Sequence, residues 1–175
     1  MDDALVESTR SWLAPDSAQH DPDFPPAVGS QFRYVIKFRN IGKHPAVHAA
    51  FYEERAGDTP HINLRDWNVQ KSWSLVFSGV SNETCEGRVP GEKTSVIYPS
   101  ESLRTYSVDT NYVIPEAVFQ KSKILYVEGC MAYTSFGKIR YEGYCFFLHP
   151  EPDGVPLDQW KFATCPAGNF SKDKD

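Results

Sequence analysis

The sequence predicts a mainly β fold: an antiparallel β-sandwich or a small barrel, with one or two short helices. About seven short runs alternate apolar and polar residues, or are rich in β-branched and aromatic residues, and turn residues separate them. Aromatic residues make up 14% of the 175, enough large rings to fill a core. Short strands at this spacing are typical of sandwiches and barrels.

The strongest pattern is a hairpin over residues 123–149. Two apolar, β-branched and aromatic runs flank Ser135, Phe136 and Gly137. Gly137 tolerates the positive φ that closes a three-residue loop. Apolar residues occupy both parities of each run, so we expect both faces to be covered and these strands to be central.

The N-terminal region predicts one short strand and a connector. Residues 11–14 form the strand, with Trp12 as its anchor. Residues 15–26 contain four prolines and three aspartates and predict an irregular extended connector. We therefore divide the chain into an N-terminal segment (1–26), a β-sandwich domain (27–165) and a flexible tail (166–175).

Residues 31–40 alternate most regularly. Phe32, Tyr34, Ile36 and Phe38 share one face, which predicts a strand with one buried side. Residues 40–45 predict a turn, because Asn and Gly tolerate left-handed φ and Pro fixes its own. Residues 46–53 then predict the returning strand.

The remaining elements are shorter. Residues 66–79 fit helical spacing, with a strand as the alternative, and we favour the helix. Residues 94–98 and 103–109 predict strands, and Pro115 suits the first turn of a short helix over residues 116–120. Residues 160–165 predict a last strand.

Four cysteines leave two alternatives open. No Cys-x-x-Cys pair is present, so zinc binding has little support. The cysteines are either buried free thiols in a reducing compartment or two disulfides in a secreted domain, and Cys130 and Cys145 lie on paired strands. We favour free thiols, because the acidic N-terminus does not resemble a secretion signal.

Charge and motifs exclude several functions. The net charge of −5 argues against duplex nucleic acid or an anionic membrane as a partner. No nucleophile-base pairing or hydrolase elbow is visible, and no histidine or aspartate group has metal-ligand spacing. We therefore predict no enzyme activity, no catalytic residues, no metal and no cofactor.

One charge pattern points to a binding site. Residues 24–52 contain no Asp or Glu, and Arg33, Lys37 and Arg39 share one strand face. Such a stripe can take a phosphate or carboxylate ligand, since Arg offers bidentate donors. Trp67 and Trp73 would then stack on a base. The alternative is the solvated outer face of an amphipathic strand.

Several turn and core motifs resemble a known group of proteins. They are the Arg10–Leu13 opening, an Asn-x-Gly-x-x-Pro-Ala turn at residues 40–46, a turn at residues 99–102 with Ser100 in place of glycine, a Gly-x-x-x-Tyr hairpin from Gly129, and the Cys165–Asn169 end. The chain resembles the soluble immunoglobulin-like β-domain of bacterial membrane-anchored proteins with two transmembrane helices.

The resemblance implies fold more than chemistry. It implies a domain on the cytoplasmic side of the inner membrane, anchored through a segment absent from this chain. Some such proteins resemble anti-phage effectors that sense cyclic nucleotides. We therefore expect a non-enzymatic module that binds a small anionic ligand, such as a cyclic dinucleotide, through Arg33, Lys37, Arg39, Trp67 and Trp73. The alternative is a protein–protein interaction module without a small-molecule site, and a homo-oligomer is compatible with either.

Overall fold

The structure, a computed structural model, describes residues 10–60, 95–104, 108–121, 123–149, 151–165 and 170–173. These residues form ten strands, one short α-helix and one 3₁₀ helix. The strands are β1 (Leu13–His20), β2 (Gln31–Asn40), β3 (Ala46–Pro60), β4 (Ser95–Ile97), β5 (Ser102–Arg104), β6 (Val108–Val113), β7 (Lys123–Ser135), β8 (Lys138–His149), β9 (Lys161–Thr164) and β10 (Phe170–Asp173); the helices are α1 (Glu116–Phe119) and the 3₁₀ helix Leu157–Gln159.

The strands form two antiparallel sheets. In the four-stranded sheet, β2 is central, with β1 on one side and β5 and β6 on the other. In the six-stranded sheet the order is β4, β3, β7, β8, and both β9 and β10 pair with the far side of β8. The mainly β prediction is confirmed, and the closed-barrel alternative is wrong.

The two sheets share one core. The face of β2 that carries Phe32, Tyr34, Ile36 and Phe38 is fully buried, as its alternation predicts. These side chains form one cluster with residues of β7 and β8, including Tyr144. The ring of Phe38 lies 5.7 Å from that of Tyr144, edge to face. Contact between the sheets therefore depends mainly on large rings, which bury the most apolar area per residue.

The β7–β8 hairpin is central and buried on both faces, as predicted. The predicted three-residue loop is wrong. Ser135 pairs directly with Lys138, so Phe136 and Gly137 alone form the turn. Their φ values of 50° and 76° are both positive, which is typical of the type I′ turn that matches the twist of a hairpin.

The first strand is longer than predicted. The irregular connector is wrong for residues 15–20, because β1 runs through Pro15 and pairs with β2 as far as His20. Leu13 is fully buried, whereas Trp12 is 38% exposed and does not anchor the strand. A register shift between Pro15 and Ser17 leaves Asp16 as an extra residue, which disrupts the alternation that would have revealed a strand.

Two other strands also differ from expectation. β3 does not return beside β2; it crosses to the six-stranded sheet and pairs with β4 and β7. β10 lies inside the predicted flexible tail and pairs with Arg140–Gly143 of β8. β1 and β10 therefore extend the two sheets beyond residues 27–165.

The remaining predictions fall on short elements. The strand at 94–98 is β4, the strand at 103–109 overlaps β5 and β6, and the strand at 160–165 is β9. α1 follows Pro115 as predicted. The predicted helix at 66–79 lies outside the described residues. No helix in the described ranges has the length and apolar character needed to cross a bilayer.

The turn after β2 holds the N-terminal residues in place. Asn40 is fully buried, and its Oδ1 accepts hydrogen bonds from the backbone of Trp12 and Gly42. Its Nδ2 donates to the carbonyls of His44 and Ile97. A Cβ at Gly42 would lie 2.5 Å from the nitrogen of Trp12, so only glycine fits there.

The prediction of free thiols is wrong. Cys145 and Cys165 form a disulfide with a Cα–Cα distance of 5.3 Å. Cys130 is also disulfide-bonded, and its partner lies outside the described residues. The register places Cys130 opposite Gly143 and Cys145 opposite Glu128, so these two cysteines do not face each other across the hairpin.

Candidate functional site

The cation face of β2, defined by Arg33, Lys37 and Arg39, lies on the side of the four-stranded sheet that points away from the core. The strand alternates between buried residues and partly or fully exposed ones, and these three belong to the second set. The structure therefore places the three predicted charge partners on one face. Trp67 and Trp73, the predicted stacking residues, lie outside the described residues.

Asp16 partly neutralises the cation face. Its Oδ2 lies 3.4 Å from Nζ of Lys37 and 3.1 Å from Nη2 of Arg39. Asp16 is the extra residue of the β1 irregularity, so the same backbone feature that breaks the strand pattern brings the carboxylate to β2. Arg33 instead lies over Phe24, with 3.9 Å between its Cζ and the ring centroid.

A small polar hollow adjoins the cation face. Ser17 and Gln19 of β1 line it together with Val35 and Lys37 of β2, and its volume is about 140 Å³. Pockets for drug-sized ligands are larger, roughly 300–1,000 Å³. The hollow therefore fits one carboxylate or phosphate group better than a whole dinucleotide.

A larger cleft, which we call the lateral cleft, opens where the edges of the two sheets approach each other. Its volume is about 590 Å³, within the range for ligand pockets. Ala18, Gln19 and His20 line one wall, and Trp160, Lys161 and Phe162 line the other. Neither segment contains a residue pattern that predicts a binding site from the sequence alone.

His20 joins the two walls of the lateral cleft. Its Nε2 lies 3.1 Å from the carbonyl oxygen of Trp160, and its ring lies 5.2 Å from that of Phe162. Desolvation by burial lowers the pKa of His20, although the Trp160 carbonyl and Asp158 act in the opposite direction. The neutral ring then donates from Nε2 to the carbonyl and fixes the spacing between β1 and β9 at this point.

An apolar groove lies next to the lateral cleft. It is about 400 Å³, and exposed Val28 and Phe119 line it with Val155 and Leu157. Asp158 lies on the rim of both depressions. Clusters of exposed apolar side chains such as Val28 and Phe119 often mark a protein-binding surface.

A buried polar network lies at the other end of the core. Glu142 Oε1 accepts hydrogen bonds from Tyr133 Oη and Ser171 Oγ, both at 2.9 Å. Burial raises the pKa of Glu142 to about 7, while hydrogen bonds from Tyr133 and Ser171 and the charges of Arg10 and Arg140 lower it. Glu142 is only 4% exposed, so this carboxylate serves the fold and does not face a dissolved substrate.

His44 lies beside the turn of the β7–β8 hairpin. The ring of His44 packs against Phe136 at 4.6 Å. No group of three or more His, Cys, Asp or Glu side chains capable of holding a metal ion occurs in the described part of the chain.

The geometry leaves two candidate sites, the cation face and the lateral cleft, and similarity to other proteins does not choose between them. The chain matches no known family model, no curated protein and no solved structure.

Proposed function

We propose that this chain is a non-enzymatic, immunoglobulin-like β-sandwich domain that binds a partner protein at the lateral cleft. The observation that carries the proposal is the cleft itself, which has the volume of a binding site and lies along two strand edges. The adjacent apolar groove enlarges the surface available to a protein partner.

The domain functions in an oxidising compartment. A disulfide joins β8 to the residue after β9, and Cys130 forms another. Structural disulfides persist in secreted and periplasmic proteins and are rare in the cytosol. This favours the outer side of a bacterial inner membrane over the expected cytoplasmic side, and it is compatible with the membrane anchor that the resemblance implies.

Selection from a displayed library of random peptides, with the disulfide-bonded protein as bait, tests the proposal. We expect enrichment of a sequence pattern whose binding is weakened by Phe162→Ala, a change in the cleft wall, and unaffected by Val96→Ala on exposed β4. Failure to enrich any peptide would contradict the proposal.

The second candidate is the sensing of a small anionic ligand at the cation face, with a cyclic dinucleotide as the sequence-based expectation. The hollow beside Lys37 supports it, since a phosphate group placed there would lie next to an ammonium group. Asp16 would compete with the ligand for Lys37 and Arg39.

Calorimetry with cyclic dinucleotides and inorganic phosphate tests the second candidate. We expect Asp16→Asn to strengthen binding, because it frees both cations, and Lys37→Ala to weaken it. Absence of heat and of a melting shift across the panel, in the wild type and in Asp16→Asn, would exclude this function.

A further inference from the structure

We infer that the second half of β1, residues 17–20, accepts an extended peptide of the partner as an added β-strand. The inference rests on the proposed function and names the form of the partner and the atoms that would bind it. Strand addition uses unpaired backbone groups at a sheet edge for affinity and alternate side chains for specificity.

β1 is an edge strand in the described structure. It pairs with β2 along its length, and no other described strand pairs with it. An unpaired edge of this kind presents a row of N–H and C=O groups that another chain can use.

The direction of these groups follows from two hydrogen bonds. Asp21 donates its N–H to the carbonyl of Arg33 at 3.3 Å, so position 21 points toward β2. Backbone N–H and C=O groups alternate in direction along a strand. Those of Ser17 and Gln19 therefore point toward β2, and those of Ala18 and His20 point away from it. The same alternation holds in β2. The N–H of Asn40 points away from β1, because it donates to the carbonyl of Glu101 on the opposite side of β2.

The first half of β1 is closed to an added strand. The outward N–H of Leu13 lies 3.4 Å from Tyr133 Oη, which accepts it. Pro15 has no N–H, and the irregularity at Asp16 interrupts the edge. Only the stretch after Asp16 remains regular, and it spans about 14 Å at roughly 3.4 Å per residue.

The surroundings of this stretch differ on its two sides. On the core side lies the lateral cleft, with the ring of Phe162. On the outer side lies the polar hollow with Lys37. Because side chains of a strand alternate between faces, the fitting peptide places apolar residues toward the cleft and an acidic residue toward Lys37.

The charge pattern favours a different chain over a second copy. A symmetric pairing of two β1 strands would bring Ser17 and Gln19, which carry no charge, to the hollow of the other copy. Lys37 and Arg39 share the single carboxylate of Asp16, so a peptide carboxylate at that position supplies the second negative charge that these two cations lack.

The test uses fluorescence anisotropy with a short labelled peptide that alternates valine and glutamate. Two matched controls carry N-methyl groups, one on the valine amides and one on the glutamate amides, so that one of them loses the donors that face β1 while no side chain changes. We expect saturable binding of the unmodified peptide and at least about tenfold weaker binding of one of the two controls, as the loss of two backbone hydrogen bonds implies. Lys37→Glu should weaken binding of the glutamate peptide and favour a lysine counterpart.

Amide hydrogen exchange locates the contact. Protection of Ala18 and His20 on peptide addition supports strand addition without any variant that endangers folding. Equal binding of both N-methylated peptides, absence of binding, or a β1-mediated dimer that excludes the peptide would overturn the inference. If library peptides bind and protect only the groove at Val28 and Phe119, strand addition fails while the protein-binding function stands. If no library peptide binds at all, the proposed function fails with it.

Discussion

Tyr133 Oη donates a hydrogen bond to Glu142 Oε1 at 2.9 Å inside the core. The two residues are diagonal neighbours, because Tyr133 pairs with Arg140 and Glu142 pairs with Met131. Ser171 of β10 donates to the same oxygen, and Tyr133 Oη also lies 3.4 Å from the N–H of Leu13 in β1. The pair therefore links both ends of the described chain to the central hairpin.

The first prediction concerns pH. The pKa of Glu142 rises from 4.5 to about 7, chiefly by desolvation, so between these values the folded state binds more protons than the unfolded state. The contribution of Glu142 to the free energy of unfolding should therefore fall as pH rises through this window, by about 3 kcal/mol in all, while the lowered pKa of His20 acts in the opposite direction. Urea unfolding at pH 5, 6, 7 and 8 measures it.

Glu142→Gln removes this titration, so its stability should lose the downward slope and exceed that of the wild type at pH 8. Glu116→Gln, at an exposed helix position, is the matched control and should keep the slope. An equal pH dependence of the wild type and Glu142→Gln would show that Glu142 is ionised without penalty.

The second prediction concerns Gly42. A Cβ there would collide with the backbone of Arg10, Ser11 and Trp12, which cannot move without breaking the hydrogen bonds to Asn40. Gly42→Ala should destabilise the protein by about 3 kcal/mol or more. Gly154→Ala is the control: its φ is 88° but nothing lies within 4 Å, so it should cost only about 1 kcal/mol. Equal losses would contradict the steric explanation.

The third prediction concerns Ser100, a residue of the turn between β4 and β5. Its φ of 68° is left-handed, and its N–H donates to the carbonyl of Asn40 at 2.9 Å. Ser100→Gly relieves the strain and should raise the free energy of unfolding by about 0.5–1 kcal/mol. Ser102→Gly, in β5, should lower it by a similar amount. A destabilising Ser100→Gly would mean that the hydroxyl has a role beyond the turn.

The fourth prediction concerns the Cys145–Cys165 disulfide, whose sequence separation is 20. Replacing both residues by alanine should lower the free energy of unfolding by about 3 kcal/mol, mainly because the unfolded chain gains freedom. The double variant isolates this bond, whereas a reductant would also open the one at Cys130. Urea midpoints equal to those of the wild type would show that the bond is dispensable.

Alternation predicted the elements that the core depends on. β2 carries four buried rings or branched side chains at every second position, and this pattern was sufficient to place its inner face. β7 and β8 are apolar on both parities, which correctly indicated central strands. The length of the turn between them was harder to predict, because Phe136 adopts a left-handed conformation that is typical of glycine or asparagine.

The candidate sites were less accessible from sequence. The positions of Arg33, Lys37 and Arg39 on one face followed from alternation, but their partner Asp16 depends on a register shift that no composition reveals. The lateral cleft depends on the approach of β9 to the end of β1, and this approach leaves no residue-type signal in the sequence. The continuation of β1 beyond residue 14 was missed for the same reason, since Pro15 and Asp16 are poor strand formers.

The crossing of β3 has a kinetic consequence. Its pairing with β7 joins stretches separated by nearly half of the chain, as in the match of Phe51 with Met131. Pairings between distant segments fold slowly, because closing the loop costs entropy before the contacts form. The β7–β8 hairpin closes locally and is the natural nucleus. Until β3 arrives, one long edge of β7 stays uncovered, and that interval is when nascent chains are most exposed to aggregation.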